Sequence, residues 1–208
     1  MAKKIVSTVL MSRFDKYGIH FPEDWDITFL EAPYTDEDMI KAVGDKEYIL
    51  VNATHPVTKA VIDACPNLKL IQSEGVAFNM IDVNAAKEKG VLVANNRGAN
   101  ADAVAEATVA LMLECYRTMA YYDKRLKSEP FLDVKNCALS AGVHEIKGKH
   151  IGFVGMGAIA KEAAKRLANW KVKMSYYDVF RPTPEQEKEL NIEYLPFEEI
   201  VKQCDVIS

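Results

Sequence analysis

Cysteine is scarce in this chain of 208 residues: there are four, and Cys65, Cys115, Cys137 and Cys204 are spread out without a Cys-x-x-Cys pair. That spacing argues against a disulfide scaffold and against a metal centre, so the four read as buried or half-buried thiols in a reducing compartment. Long apolar runs are missing too. A membrane-spanning helix needs about 20 consecutive apolar residues, and the most apolar stretch, 101–119, is interrupted by Asp102, Glu106 and Glu114. The short apolar run near the N-terminus lacks a small-residue cleavage pattern and reads as a first strand, not a secretory leader. Basic charge is not in excess, with 26 Lys and Arg against 30 Asp and Glu and a net charge of −4. Nucleic acid and anionic membranes are therefore poor partners, and a cytoplasmic protein is expected. Glycine (10) and proline (8) are too few for a collagen-like or low-complexity chain.

What is present is alternation. Short apolar runs at 5–10, 27–30, 48–51, 68–72 and 91–94 read as strands, and helix signals fall between them. Thr35 and Asp36 stand before an amphipathic turn ending at Val43, 57–65 stops at Pro66, and 83–89 stops at Gly90. Such strand–helix repetition predicts a parallel sheet covered by helices, flavodoxin-like or Rossmann-like. The longest helical pattern runs from Asn100 to about Tyr122, with a stripe of Val104, Ala107, Leu111 and Cys115 and a second face carrying Val109, Met112 and Tyr116. A helix apolar on more than one side is a core helix or one shared between domains or subunits. Residues 123–148 read as charged and then irregular, and a new unit restarts at Lys149: strand 150–154, helix 158–170, strand 172–178, helix 185–190, strand 192–194, helix 197–203 and a further strand from Val206.

The chemistry sits where that unit restarts. Gly155-Met156-Gly157-Ala158-Ile159-Ala160 follows an apolar strand and opens a helix, with Ile159, Ala163, Leu167 and Trp170 expected on one face. The next strand ends in Asp178, about 20 residues after Gly157, the position of the ribose-binding acid in a dinucleotide fold. Gly155 permits the tight turn, Gly157 lets a pyrophosphate approach the backbone, and Ala160 keeps the helix close to the strand. Free amides at the helix start attract the phosphates. Asp178 favours NAD by accepting from both ribose hydroxyls and repelling a 2′-phosphate, while Arg181 nearby keeps NADP open. The loop from Gln72 to Asp82 follows a strand and would stand at its carboxyl end. His20, His55, His144 and His150 show no partner pattern, and Ser73 lacks the Gly-x-Ser-x-Gly setting of a nucleophile.

These residues resemble the D-isomer-specific 2-hydroxyacid dehydrogenase family. The likeness runs through the whole chain in four blocks: IQSEGVAFNMIDVNAAKEKGVLVANNRGANADAVAEATVALML from Ile71, HEIKGKHIGFVGMGAIAKEAAKRL from His144, YYDVFRP, and LPFEEIVKQCDVIS. The resemblance implies an α/β chain with a flavodoxin-like substrate domain over 1–99, followed over 100–208 by part of an NAD-binding Rossmann domain. It implies hydride transfer between NAD(H) and C2 of a 2-hydroxy or 2-oxo acid. Residue by residue, Ala158 and Ile159 match the amides that meet the cofactor phosphates, and Asp178 matches the ribose-binding acid. Val76 and Thr108 match positions on the nicotinamide side, and Glu74, Gly75, Val76 and Ala77 match the substrate loop. The helix over 100–122 matches the family's homodimer contact.

Three residues depart from the pattern: Ala77 where the family usually has Gly, Asn79 where it has Asp, and Asn52 in a stretch that is often Arg-Ser. They bear on the substrate and not on the fold. The family's catalytic Arg, Glu and His all follow the strand beginning at Val206. They are expected beyond Ser208, the last residue, so no catalytic residue is assigned in this chain. The 208 residues thus read as a fragment of a longer dehydrogenase, inactive by themselves. The alternatives are a non-catalytic NAD(H)-sensing regulatory protein and a nonfunctional truncated product.

Overall fold

In a computed structural model, which describes residues 3–142 and 144–208, the chain forms two compact units, one ending at Ala99 and one beginning at Asn100. The first unit runs β1 (Lys4–Ser7), α1 (Met11–Lys16), β2 (Asp26–Phe29), α2 (Asp36–Val43), β3 (Tyr48–Val51), α3 (Lys59–Ala64), β4 (Leu70–Ser73), α4 (Val83–Lys89) and β5 (Leu92–Ala94). Its five strands are parallel in the order β2-β1-β3-β4-β5, the doubly wound order of flavodoxin-like sheets.

Strand alternation decides which face is buried. Ile49, Val51 and Ile71 turn inward onto Met39, Val43, Val61, Ile62, Ala85 and Ala86 of α2, α3 and α4. Each such large aliphatic side chain contributes about 1.5–3 kcal/mol on burial. The residues between them, Tyr48, Leu50, Leu70 and Gln72, stand on the other face, where Phe21 and Trp25 help line a groove of about 320 Å³. The helix ends follow from local chemistry. Thr35 and Asp38 form a reciprocal capping box on α2, Asp82 caps α4, and Gly90 stops α4 in the left-handed conformation at φ 75°.

The second unit runs α5 (Ala101–Arg117), α6 (Met119–Leu126), α7 (Phe131–Ala141), β6 (His150–Val154), α8 (Ala158–Leu167), β7 (Lys173–Tyr177), α9 (Pro184–Leu190), β8 (Glu193–Tyr194), α10 (Phe197–Gln203) and β9 (Val206–Ile207). Its parallel strands lie in the order β8-β7-β6-β9, which is the 3-2-1-4 arrangement of a Rossmann sheet. Ile151, Phe153, Met174 and Tyr176 bury completely or nearly so with Ala105 and Val109 of α5 and Ala163, Ala164 and Leu167 of α8. On β6, a Cβ at Gly152 would lie 2.7 Å from Cys204 Sγ and 2.8 Å from Ile200 Cγ2, so only glycine lets α10 rest on the strand. His150 is a structural residue here: its amide donates to Asp205 and its Nε2 lies 2.7 Å from Ser175 Oγ. Ser208 continues the ladder of β9 on β6. Its N–H donates to the Gly152 carbonyl at 2.9 Å, and its carbonyl accepts from the Val154 N–H at 2.8 Å.

Several expectations need correction. The helix expected to run to Tyr122 ends at Arg117, because Thr118 is left-handed (φ 45°) and the Glu114 carboxylate accepts the amides of Met119 and Ala120 to start α6. The stretch expected to be irregular after it contains α7, opened by Pro130. The buried face of α5 is Ala101, Ala105, Val109 and Met112, while Leu111 of the expected stripe is 66% exposed. On α8, Ile159 stands at the rim and not on the buried face. Cys115 is exposed, not buried. Helix α1 had no sequence signal.

Candidate functional site

The turn after β6 is built by backbone conformation. Gly155 sits at φ 95°, a conformation that residues with a side chain rarely adopt, and its N–H donates to the Tyr177 carbonyl at 2.7 Å. Met156 is buried and fixes the turn from below, and its N–H donates to Asp178 Oδ2 at 2.6 Å. Gly157 then opens α8 from an extended conformation (φ −77°), with no side chain capping the helix. Among the described residues, its chain neighbours aside, a Cβ added there meets no atom within 4 Å, so the space above it is open. The first amides of α8, on Ala158, Ile159 and Ala160, have no acceptor within the helix and lie at the positive end of its dipole.

Asp178, just past the end of β7, faces this turn. Its Oδ1 accepts from the Phe180 amide at 2.8 Å and its Oδ2 from Met156. These backbone donors, that of Phe180 first, hold the carboxyl below the ordinary aspartate range. Each oxygen keeps a free lone pair for a further donor. Around the turn, Val154 and Ile159 are partly exposed and Val179 and Phe180 strongly so, giving an apolar rim beside an anion-attracting helix end. This geometry suits a ligand with a pyrophosphate, a diol and a flat ring. A nicotinamide dinucleotide has all three, and the open space at Gly157 is what its phosphates require.

The expected residues therefore fall into groups. Gly155, Gly157, Ala158, Ile159 and Asp178 come together at one end of the second unit's sheet. Thr108 lies on α5, its hydroxyl donating to the Val104 carbonyl at 2.8 Å. Glu74, Gly75, Val76 and Ala77 belong to the first unit, at the carboxyl end of β4, where α/β sheets bind ligands. Ser208, beyond which the catalytic residues are expected, takes a sheet-pairing role through its backbone.

The loop after β4 is stitched from several sides. Buried Ser73 donates from Oγ to the Ala77 carbonyl at 2.6 Å, Asn95 donates to the Val76 carbonyl at 2.6 Å, and Asn96 donates to that of Glu74 at 2.8 Å. The Glu74 carboxylate accepts from Asn52 Nδ2 at 2.8 Å and pairs with Arg13 at 3.2 Å. Sequence reasoning missed Asn95, Asn96 and Arg13, whose roles depend on strand adjacency that no local spacing encodes. Beside this loop, Thr8, Arg13, Asn52 and His55 line a cavity of about 310 Å³ at the ends of β1 and β3, the point where the strand order reverses. Among the described residues no cluster of His, Cys, Asp and Glu is arranged to hold a metal ion, and no helix is long and apolar enough to cross a membrane.

Comparison with known proteins gives the family and the fold. Residues 6–184 match the family profile described as D-isomer specific 2-hydroxyacid dehydrogenase, catalytic domain. A glyoxylate reductase of Thermofilum pendens is 33% identical over 190 residues, 91% of this chain and 54% of that protein. A hydroxypyruvate reductase of Thermotoga maritima is 35% identical over 172 residues, 83% of this chain and 53% of that protein. The chain thus spans about half the length of the curated relatives it matches. In fold it is similar to the holo form of Rhodotorula graminis D-mandelate dehydrogenase, at a TM-score of 0.80 and 24% identity, covering 100% of this chain and 65% of that one.

Proposed function

The chain belongs to the D-isomer-specific 2-hydroxyacid dehydrogenase family, and from that premise we propose that the protein carrying it transfers hydride between NAD(H) and C2 of a small 2-hydroxy or 2-oxo acid. The observation that carries the reading is the pairing of an uncapped helix start at Gly157, open above its Cα, with an ionised Asp178 held toward the same turn. In this reading the amides of Ala158 and Ile159 bind the pyrophosphate. Asp178 accepts from the adenosine ribose hydroxyls, and Thr108 and Val76 contact the nicotinamide side. The loop from Glu74 to Ala77 lies against the substrate, its backbone fixed by Ser73, Asn95 and Asn96. NAD, when bound, supplies the hydride acceptor. We place the proton-transferring His, its Glu partner and the carboxylate-binding Arg beyond Ser208, in the part of the relatives' length that this chain does not span. The protein would work in the cytoplasm as a homodimer, with α5 offering exposed Leu111 to the partner.

The test is NADH oxidation by the full-length protein with glyoxylate or hydroxypyruvate, run beside the purified 208-residue chain. Turnover by the full-length protein and none by the shorter chain is expected. A full-length protein that binds no dinucleotide and reduces no 2-oxo acid would refute the reading.

A further inference from the structure

Two cations bear on Asp178, Lys161 through space and Arg181 by its place three positions along the chain, and both are tethered to α9. Arg181, three positions further along, pairs through Nη2 with Glu187 Oε1 at 3.0 Å, and its guanidinium carbon lies 4.2 Å from the centre of the Tyr194 ring. The Tyr176 hydroxyl donates to the same carboxylate of Glu187. Lys161, on α8, reaches Gln186 Oε1 at 3.2 Å. The helix carrying Glu187 and Gln186 is itself pinned at its start by a Thr183–Gln186 capping box with Pro184 in its first turn.

In dinucleotide folds an arginine beside the ribose acid is what accommodates a 2′-phosphate. A guanidinium paired through one nitrogen with a carboxylate and stacked on an aromatic face must leave both before it can turn its fork of donors to such a phosphate. We infer that Glu187 is a positioning residue for cofactor choice: by holding Arg181, three positions past Asp178, against Tyr194 it withholds that guanidinium from the 2′-phosphate of NADP. The inference rests on the dinucleotide-binding reading above and adds a second layer to it. Asp178 repels the phosphate, and Glu187 removes the cation that would have offset that repulsion. Asp178 alone would leave Arg181 free to swing toward the ribose. The tether closes the NADP route that Arg181 leaves open in the sequence. Tyr176 strengthens it, since its hydroxyl and Arg181 together hold the Glu187 carboxyl below its ordinary range and so keep it charged.

The experiment is a set of fluorescence titrations of NADH and NADPH into the full-length protein and its variants, with thermal unfolding recorded for each. Releasing one charge-assisted donor pair corresponds to about tenfold in affinity, so Glu187→Gln is expected to tighten NADPH by about tenfold and leave NADH within about threefold. Adding Arg181→Ala to Glu187→Gln should return NADPH to its wild-type affinity, which a merely structural role for Glu187 would not do. Arg181→Ala alone should leave both affinities within about twofold, because the guanidinium is already withdrawn. That single variant keeps the inference open to refutation even if Glu187→Gln does not fold. NADPH affinity unmoved in Glu187→Gln, a gain that survives in the double variant, or a loss of NADPH binding in Arg181→Ala alone would each overturn the inference. If the wild-type protein binds NADH and the cycle is flat, only this inference fails. If it binds neither dinucleotide, the dehydrogenase reading fails first and takes the inference with it.

Discussion

The turn after β4 and the turn after β6 both carry glycine at the carboxyl end of a parallel strand, and they are finished in opposite ways. The first is closed by its own side chains: Ser73, Asn95 and Asn96 each donate to a carbonyl of the loop, and Asn52 and Arg13 tie down Glu74. The second is left bare. Among the described residues no side chain caps α8, nothing beyond the chain neighbours lies within 4 Å of a Cβ at Gly157, and one carboxylate, Asp178, spans the turn. A stitched loop holds its backbone in one shape and presents it to a ligand. A bare helix start keeps its donors unspent until a ligand with phosphates arrives. The same fold rule, ligands at the carboxyl ends of strands, thus yields a positioning loop in one unit and an anion cradle in the other.

The largest expected effect breaks the cradle without breaking the fold. Gly157→Val places its side chain in open space at an ordinary φ of −77°, so thermal stability should stay close to wild type. Filling the space over the helix start should cost up to about 3 kcal/mol of dinucleotide binding, or about 100-fold, read by NADH titration of the full-length protein. A second pair of variants separates the two turns by backbone conformation. Gly155→Ala forces a side chain into φ 95° and should lower stability by about 1–2 kcal/mol in chemical denaturation. Gly75→Ala asks only that the Ala53 methyl, 3.1 Å from the new Cβ, give way slightly, and should cost less. Equal losses at the two positions would erase the contrast.

The smallest effect is a matter of pH. Backbone amides, those of Phe180, Met156 and Val179 in that order, depress the Asp178 pKa in the folded chain. Its contribution is therefore fully present above the unfolded value of about 3.9 and is lost as pH falls through the folded value. Asp178→Asn should lower the neutral plateau slightly, leave stability at the acid end nearly unchanged, and so flatten the acid limb below about pH 4. A profile with the wild-type slope would show that the carboxylate does not hold the turn.

The cradle was legible in the sequence because everything that makes it is local. Strand, Gly155, Gly157, helix and acid follow one another, and the expected strand over 150–154 has the observed bounds. The stitching of the other turn was not legible, since Asn95 and Asn96 reach it from the end of β5, whose pairing with β4 is a property of the sheet. The break at Thr118 was hidden for another reason. Apolar periodicity continues across it, and what ends α5 is one left-handed residue with the Glu114 side chain folded over the next two amides. The tether of Arg181 depends on side chains from β7, α9 and β8 meeting at one carboxylate and one ring, which no spacing announces.

Because Gly152 carries no side chain, the Cys204 thiol rests on the backbone of β6, half-buried and with its pKa pushed up by burial. A protonated, covered thiol reacts slowly, and its labelling speeds up each time α10 lifts from the sheet. Cys115 is exposed and waits for no such event, and Cys65 lies sealed in the core of the first unit. The rates at which these three sulfurs take up one alkylating reagent therefore form a set of clocks: one runs freely, one counts the openings of a single helix, and one counts the opening of the other unit's core.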